Sequence, residues 1–328
     1  MKGRVLITGA SGFIGYHLIE EAIKNNLQVY AAIRKSSKID HLAHFKINYT
    51  YPDFTDVLSL KKELKENKYD YIIHAAGVTR ARSQDEYNLI NAGYTGNLAQ
   101  AVVESGINIK KFVLIGSLAA VGPLTDINGI ITNKTVPHPI TAYGKSKLLA
   151  EETLRTFTGL NYTILRPTGV YGPRDLDIFI FFKQVARGIE PYIGNVGQKF
   201  SFLYAPDLAK VTIKALFAGN QATYNLSDGN FYDRYALASA IKEVLRSRTV
   251  KFHLPVKFVK LIAYFSEKYS ALSNKAPVVN REKINELMAV NWYCDIEPAK
   301  TDLGFSPEYN LQSGVAESIN WYKTNKWL

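Results

Sequence analysis

Thr8-Gly9-Ala10-Ser11-Gly12-Phe13-Ile14-Gly15 follows the apolar run Arg4-Val5-Leu6-Ile7 and leads into Ile14, Leu18, Ile19, Ala22 and Ile23, which recur at helical spacing. Strand, glycine turn and helix in this order form the opening of a dinucleotide-binding βαβ unit. Glycine is required where the backbone turns tightly and approaches a pyrophosphate. The helix N-terminus then offers free N–H groups and its positive dipole end to that anion. The spacing is G-x-x-G-x-x-G rather than G-x-G-x-x-G.

The next strand, Leu27-Gln28-Val29-Tyr30-Ala31-Ala32-Ile33, ends in Arg34-Lys35-Ser36-Ser37-Lys38. An NAD-binding unit usually places Asp or Glu at this edge for the ribose hydroxyls. An arginine and a lysine attract a 2′-phosphate instead, the arginine through its planar fork. NADP(H) is therefore favoured as cofactor, with NAD(H) as the alternative. The alternative reading of Arg34 and Lys35 is solvated loop charges in a basic chain.

Working onward, Asn48–Tyr51, Tyr69–Ala75, Lys111–Gly116 and Asn161–Arg166 are strand candidates, separated by helical patterns over Val57–Lys65, Glu86–Ser105 and Ala142–Phe157. This alternation predicts an α/β fold, a Rossmann-type doubly wound parallel sheet covered on both faces. Pro206–Phe217 and Ala222–Leu226 read as a further helix and strand of it. The expected organisation is a dinucleotide-binding domain over residues 1–170, with 203–226 returning to it. Residues 171–202 and 227–328 are expected to build a smaller, interleaved C-terminal substrate lobe.

Tyr143-Gly144-Lys145-Ser146-Lys147 sets a phenol and an ammonium one helical turn apart, on one face. A lysine held there is expected to lower the proton affinity of the phenol. A phenol so tuned can exchange a proton with a carbonyl or alcohol oxygen. The pattern alone is common on wet helices and gains weight beside a nicotinamide site. The strand ending at Ile115-Gly116-Ser117 supplies a second group, because ligands bind beyond the carboxyl ends of such strands. The Ser117 hydroxyl can donate to the same substrate oxygen.

Among 328 residues, 40 Lys and Arg against 29 Asp and Glu give a net charge of +11. The basic residues are scattered, without the arginine block or aromatic–basic stripe of a nucleic-acid module, so no nucleic-acid partner is expected. No stretch reaches the roughly twenty apolar residues of a membrane span. The first strand begins almost at Met1, and the single cysteine, Cys294, suits a reducing compartment. A cytoplasmic location is expected. The six histidines show no metal-ligand spacing, and no metal is expected.

Together these motifs resemble the extended short-chain dehydrogenase/reductase family, the superfamily of NAD-dependent epimerases and dehydratases. The resemblance runs through Asp53-Phe54-Thr55-Asp56, His74-Ala75-Ala76-Gly77, Asn91-Ala92-Gly93-Tyr94-Thr95-Gly96-Asn97-Leu98, Leu165 to Arg174, and Phe202 to Ala209. It implies that Tyr143 is the general acid/base, that Lys147 holds the nicotinamide ribose and depresses the phenol, and that Ser117 positions the substrate oxygen. Hydride then moves between a nicotinamide and a carbon of a small-molecule substrate. Gly9, Ser11, Gly12, Phe13, Ile14 and Gly15 would wrap the pyrophosphate. Asp53 and Phe54 would sit by the adenine, Ala75, Ala76 and Gly77 along the cofactor, and Pro167 with Val170 near the nicotinamide. Asn91 would hold the active site together or simply pack its helix. His74 would be structural.

Within the family, dehydratases carry a Thr-Asp-Glu run where this chain has Ser117-Leu118-Ala119. Many nucleotide-sugar enzymes place a diphosphate-gripping arginine where this chain has Phe200, with Lys199 beside it as a poorer substitute. These departures favour a ketone or aldehyde reductase, similar to the dihydroflavonol-reductase-like and 3β-hydroxysteroid-dehydrogenase-like branch, over an NAD-dependent nucleotide-sugar epimerase. A dinucleotide-binding sensor without catalysis is a third reading, disfavoured because Ser117, Tyr143 and Lys147 are all kept. Val256 to Phe265, continuing to Tyr269 and Leu272, reads as an apolar helix with lysines along it, and Phe179, Phe181 and Phe182 precede it in the lobe. That helix either packs on its own lobe or touches an anionic membrane surface and a lipid-like substrate. A homodimer through the helices near 86–105 and 142–157 is also implied, although Leu89, Ile90, Leu98 and Val102 equally permit packing on the sheet.

Overall fold

The computed structural model describes residues 3–273 and 281–328, and their side chains outside 267–273 and 281. The amino-terminal half alternates strands with helices, except that its second and third strands follow one another. Strand β1 (Arg4–Thr8) leads to helix α1 (Phe13–Lys24), then β2 (Gln28–Ala32), β3 (Asn48–Thr50), α2 (Val57–Asn67) and β4 (Tyr71–His74). After α3 (Gln84–Tyr87), a π-helical stretch (Asn88–Gly93) runs into α4 (Tyr94–Ser105), followed by β5 (Lys111–Ile115), α5 (Ala142–Arg155) and β6 (Tyr162–Pro167).

The carboxy-terminal half is more broken. It comprises β7 (Gly169–Tyr171), α6 (Phe179–Ala186), β8 (Ile189–Ile193), β9 (Phe202–Tyr204), α7 (Ala205–Ala215), β10 (Ala222–Leu226), α8 (Ala236–Leu245) and β11 (Val250–Leu254). Helices α9 (Val256–Ser273), α10 (Arg281–Leu287), α11 (Glu297–Leu303) and α12 (Leu311–Thr324) complete it.

Seven strands form one parallel sheet in the order β10-β6-β5-β4-β1-β2-β3. The order reverses between β1 and β4, where Thr8 pairs in register with His74. A crevice opens beyond the carboxyl ends of strands at such a point. The strands are apolar on both sides because helices cover both faces. Val5, Ile7 and Val113 pack on one side with Leu18, Leu208 and Val211 of α1 and α7. Leu6, Ile72 and Phe112 pack on the other with Leu60, Leu98 and Leu154 of α2, α4 and α5.

A separate core holds Phe179, Phe182, Ile241, Val315 and Tyr322, which join α6, α8 and α12. Residues 294–305, expected in the substrate lobe, depart from that division: Cys294, Ile296, Ala299 and Leu303 pack into the core of the large sheet. The physical reason is that α11 lies against β10 and α7, which that sheet side must cover.

The continuous helix expected over Glu86–Ser105 is instead interrupted by the π-helical turn. The Thr95 hydroxyl donates to the Asn91 carbonyl at 2.7 Å, and the widened turn leaves the Asn91 side chain free for contacts elsewhere. Leu98 and Val102 are buried on the sheet, whereas Leu89 is exposed. No helix among the described residues is long and apolar enough to cross a membrane.

Candidate active site

The glycine turn lies at the carboxyl end of β1. Gly9 adopts a φ of +68°, and a Cβ there would sit 2.7 Å from the Ala75 carbonyl oxygen. A Cβ on Gly15 would sit 2.2 Å from the Gly9 carbonyl oxygen, so α1 can begin against the turn only with glycine there. Gly12 stands at the N-cap of α1 and is exposed, and no side chain caps the first-turn N–H groups. Ser11, Phe13 and Ile14 are half-buried around this opening. The arrangement fits an anion, and hence a dinucleotide pyrophosphate, because uncapped N–H groups face a backbone cradle that any Cβ would fill.

Thr8 ties the neighbouring strand to this turn. Its hydroxyl accepts from the Ala76 N–H at 2.9 Å and meets His74 Nδ1 at 2.8 Å. His74 is completely buried, and burial, with the Lys147 charge second, pulls it down to about 3. It is neutral at ordinary pH and serves the strand end rather than proton transfer. Ala75 and Ala76 are half-buried and Gly77 is exposed along the crevice.

Arg34 and Lys35 are both exposed just past β2, and neither forms an ion pair among the described residues. The Arg34 N–H donates to Ser37 Oγ at 3.2 Å, and the Ser37 N–H returns to the Arg34 carbonyl at 2.9 Å. This turn shapes the backbone and leaves both cationic ends open. Asp53 is also exposed, but its carboxylate accepts from the N–H and hydroxyl of Thr55, which holds it below its ordinary pKa. Phe54 stacks on Tyr94 with ring centres 5.8 Å apart and lies 5.9 Å from His74.

Helix α5 carries both Tyr143 and Lys147. The Thr141 hydroxyl caps it by accepting from the Gly144 N–H at 3.0 Å, and Glu282 of α10 accepts from the Ala142 N–H at 2.8 Å. A Cβ on Gly144 would lie 2.4 Å from the Ala119 carbonyl oxygen, so glycine lets α5 press against the turn after Ser117. Ser117 and Tyr143 are thereby brought near enough for the serine hydroxyl to influence the phenol. Burial pushes the Tyr143 phenol up to about 12, and Ser117 pulls against it.

The Lys147 ammonium donates to the Ile115 carbonyl at the end of β5, at 2.9 Å, and Ser117 rather than Lys147 opposes the rise of the phenol. Lys147 itself is buried, which pulls it down to about 8, with Glu151 opposing. An ideal Cβ on Gly77 would lie 3.4 Å from the Lys147 ammonium, so this charge faces the β4 loop. Pro167 ends β6 in a buried position, and Val170 is half-buried on β7.

Several supporting residues lack a strong sequence signal. Asn91 accepts from the Val78 N–H at 2.8 Å and donates to the Val78 carbonyl at 3.1 Å and to Ser146 Oγ at 2.9 Å. It therefore clamps the β4 loop to α5, combining the two roles open to it. Glu151 receives Arg166 through Nε at 2.9 and 3.1 Å and Nη2 at 2.6 Å, with both side chains buried. Arg174 lies 4.1 Å from the Tyr16 ring centre and 5.3 Å from that of Trp321. Paired spacing could have flagged Glu151, one turn beyond Lys147; nothing local flags the others.

In the lobe, Phe200 bridges antiparallel to Tyr232 and its ring lies 6.4 Å from Phe202. A cavity of about 380 Å³ is lined there by Lys199, Phe231, Arg234 and Tyr235 among others. Arg234 donates to the Val196 carbonyl at 3.0 Å and the Ile193 carbonyl at 2.8 Å, and its buried Nε–H has no partner among the described residues. No group of three or more potential metal ligands occurs among the described residues.

Residues 5–227 match the sequence profile of the NAD dependent epimerase/dehydratase family. The chain is 23% identical to a decarboxylating sterol-4-alpha-carboxylate 3-dehydrogenase of Saccharomyces cerevisiae, over 97% of each chain. It is 25% identical to a putative UDP-glucose 4-epimerase of Methanocaldococcus jannaschii, over 98% of this chain and 99% of that one. The crystal structure of a Thermotoga maritima UDP-glucose 4-epimerase with UDP-glucose superposes with a TM-score of 0.82 at 21% identity, covering 98% and 99% of the two chains.

Proposed function

Because this chain belongs to the NAD-dependent epimerase/dehydratase family and is an NAD(P)-dependent enzyme of the extended short-chain type, we propose that it is an NADP(H)-preferring reductase of a hydrophobic ketone or aldehyde. The observation that carries the reading is the Ser117–Tyr143 pair with Lys147 buried one turn along α5. The dinucleotide, when bound, supplies the hydride in reduction and takes it in oxidation. Residues Gly9 to Gly15 would hold its pyrophosphate, Asp53, Phe54 and Ala75 to Gly77 its length, Pro167 and Val170 its nicotinamide end, and Lys147 its ribose.

Tyr143, raised to about 12, is a phenol at neutral pH, the form that gives a proton to a carbonyl oxygen. Ser117 adds a second donor to that oxygen. Lys147, pulled down to about 8, still carries its charge at neutral pH, the form in which it would hold the cofactor ribose. The preference for a 2′-phosphate rests on Arg34 and Lys35, exposed and without ion-pair partners among the described residues. A hydrophobic substrate is supported by Phe200 beside Phe202 and by the sterol dehydrogenase among the relatives. A homodimer across α4 and α5 would use Leu89, Val103 and Leu149, which stand exposed.

The second reading, a nucleotide-sugar epimerase, is favoured by Lys199 and Arg234 in the lobe cavity and by the epimerase relatives. Incubation with NADPH or NADH and a panel of lipid ketones, flavanonols and UDP-sugars separates the two. Oxidation of NADPH by lipid ketones or flavanonols supports the proposal, and turnover of the sugars alone refutes it.

A further inference from the structure

Helix α9 has one face packed and one face open. Val259 and Ala263 are buried with Ile284 of α10, and Ile193 and Leu254 rest against them. Away from this contact, Phe258, Leu261, Ile262 and Phe265 are exposed by 52, 52, 46 and 61%. Their spacing of i, i+3, i+4 and i+7 aligns them in one stripe. Scattered apolar side chains in water are ordinary, but an aligned run on one helix marks an interaction surface. Tyr269 and Leu272, expected on this helix, have side chains outside the described residues.

The flank of the stripe is basic. Lys257 and Lys260 are exposed and line a cleft of about 550 Å³ with Leu261, Tyr264 and Asn285 of α10. Neither lysine forms an ion pair among the described residues. The cleft therefore presents two ammonium groups and a side-chain amide beside the apolar stripe. Apolar residues on one side and lysines along the edge are the pattern of a helix lying in a membrane interface, with ammonium groups at headgroup level.

We propose that α9 docks this protein on an anionic phospholipid bilayer, its Phe258–Phe265 stripe entering the headgroup boundary and Lys257 and Lys260 seated among lipid phosphates. Charge selects this occupant. The chain carries +11 overall, so a second copy meeting the stripe face to face would bring two sets of unpaired lysines together. An anionic bilayer neutralises them instead. The inference is independent of the reductase reading, because no residue of the stripe belongs to the active site.

Co-sedimentation of the full chain with vesicles tests it. Vesicles of phosphatidylcholine mixed with phosphatidylglycerol should carry the protein down, phosphatidylcholine alone should not, and added salt should weaken the binding. Lys257→Gln with Lys260→Gln should lower the partition coefficient roughly 30-fold. Phe258→Ser with Phe265→Ser should abolish binding while leaving the melting curve and cofactor affinity unchanged. Leu261→Gln, a single change at an exposed site, gives the same readout by a partial loss if the double variant melts early. Failure of the parent to bind anionic vesicles, or equal binding by parent and stripe variants, would overturn the proposal. A shift from dimer to monomer in the stripe variant without vesicle binding by the parent would also overturn it, by assigning the stripe to a second copy.

Discussion

Replacing Glu151 with Gln separates two jobs that one buried carboxylate performs. Glu151 is completely buried, Arg166 is 5% exposed, and three contacts of 2.6 to 3.1 Å join them. Removing one partner of a buried ion pair leaves an uncompensated charge and costs about 3–5 kcal/mol. With an unfolding entropy near 2.1 cal/mol/K per residue, a chain of 328 residues loses about 0.7 kcal/mol per degree, so the melting temperature should fall by roughly 4–7 °C. Gln retains a carbonyl acceptor for Arg166, which places the expected loss near the lower end.

The second job is electrostatic. Burial pulls Lys147 down to about 8, and Glu151, one turn further along α5, is the group that raises it. The charged lysine is the useful form, so turnover should be present below its pKa and lost as pH rises through it. Without Glu151 the pKa falls further, and the alkaline limb of the pH–rate profile should move from about 8 toward neutrality. Arg166→Gln breaks the same ion pair but keeps Glu151, so it should lower the melting temperature without moving that limb to lower pH. An unchanged melting temperature in Glu151→Gln refutes the stability account. A lowered melting temperature with an unmoved limb refutes the coupling to Lys147.

Tyr143→Phe should lower turnover by about 10²–10⁴-fold while the cofactor dissociation constant, measured by nicotinamide fluorescence, stays as in the parent; a sensor without catalysis would be indifferent. Arg34→Gln should weaken NADPH binding about 10-fold to 100-fold, the worth of a hydrogen bond to a charged group, and leave NADH binding unchanged; equal effects on both cofactors would refute the 2′-phosphate assignment. His74 is held near 3 when folded and returns to its ordinary 6.5 when unfolded. The unfolded chain therefore binds the extra proton between these values, and stability should fall by about 1.4 kcal/mol per unit as pH drops through the window. His74→Gln should flatten this slope in acid denaturation, and an identical slope in parent and variant would discount the buried neutral imidazole.

The cofactor half of the site was legible because its constraints are local. Gly9 is left-handed and within touching distance of Ala75, and Gly15 abuts Gly9, so the sequence had to show glycine at these positions. Tyr143 and Lys147 were legible through helical spacing, and Ser117 through its place at a strand end. The direction in which Lys147 points was not, because the Ile115 carbonyl that accepts its hydrogen bond lies 32 residues away. Asn91 was ambiguous for the same reason: one amide reaches both Val78 and Ser146, and only the π-helical turn permits it. Arg174 is invisible as a neighbour of Tyr16 until α12 and the strand after β6 fold back onto α1.

The substrate half shows why motif matching stops short of a substrate. Phe200 in place of an expected arginine argues against a diphosphate, yet the fold brings Arg234 to the cavity from a different segment. The presence of a cation is then the wrong criterion; its hydrogen-bonding capacity is the right one. One N–H on each terminal nitrogen of Arg234 donates to a carbonyl, at Val196 and Ile193, which fixes the guanidinium on the loop; three of its five N–H groups remain, including Nε–H, which has no partner among the described residues. Lys199 lies 4.4 Å from the centre of the Phe231 ring and offers a point charge rather than a fork. A diphosphate would thus find one point charge and the N–H groups that Arg234 keeps, supplied from a different segment than the expected arginine. Arg234 therefore supports the second reading, and the case for a hydrophobic ketone rests on Phe200 standing where the arginine is expected, its ring 6.4 Å from that of Phe202.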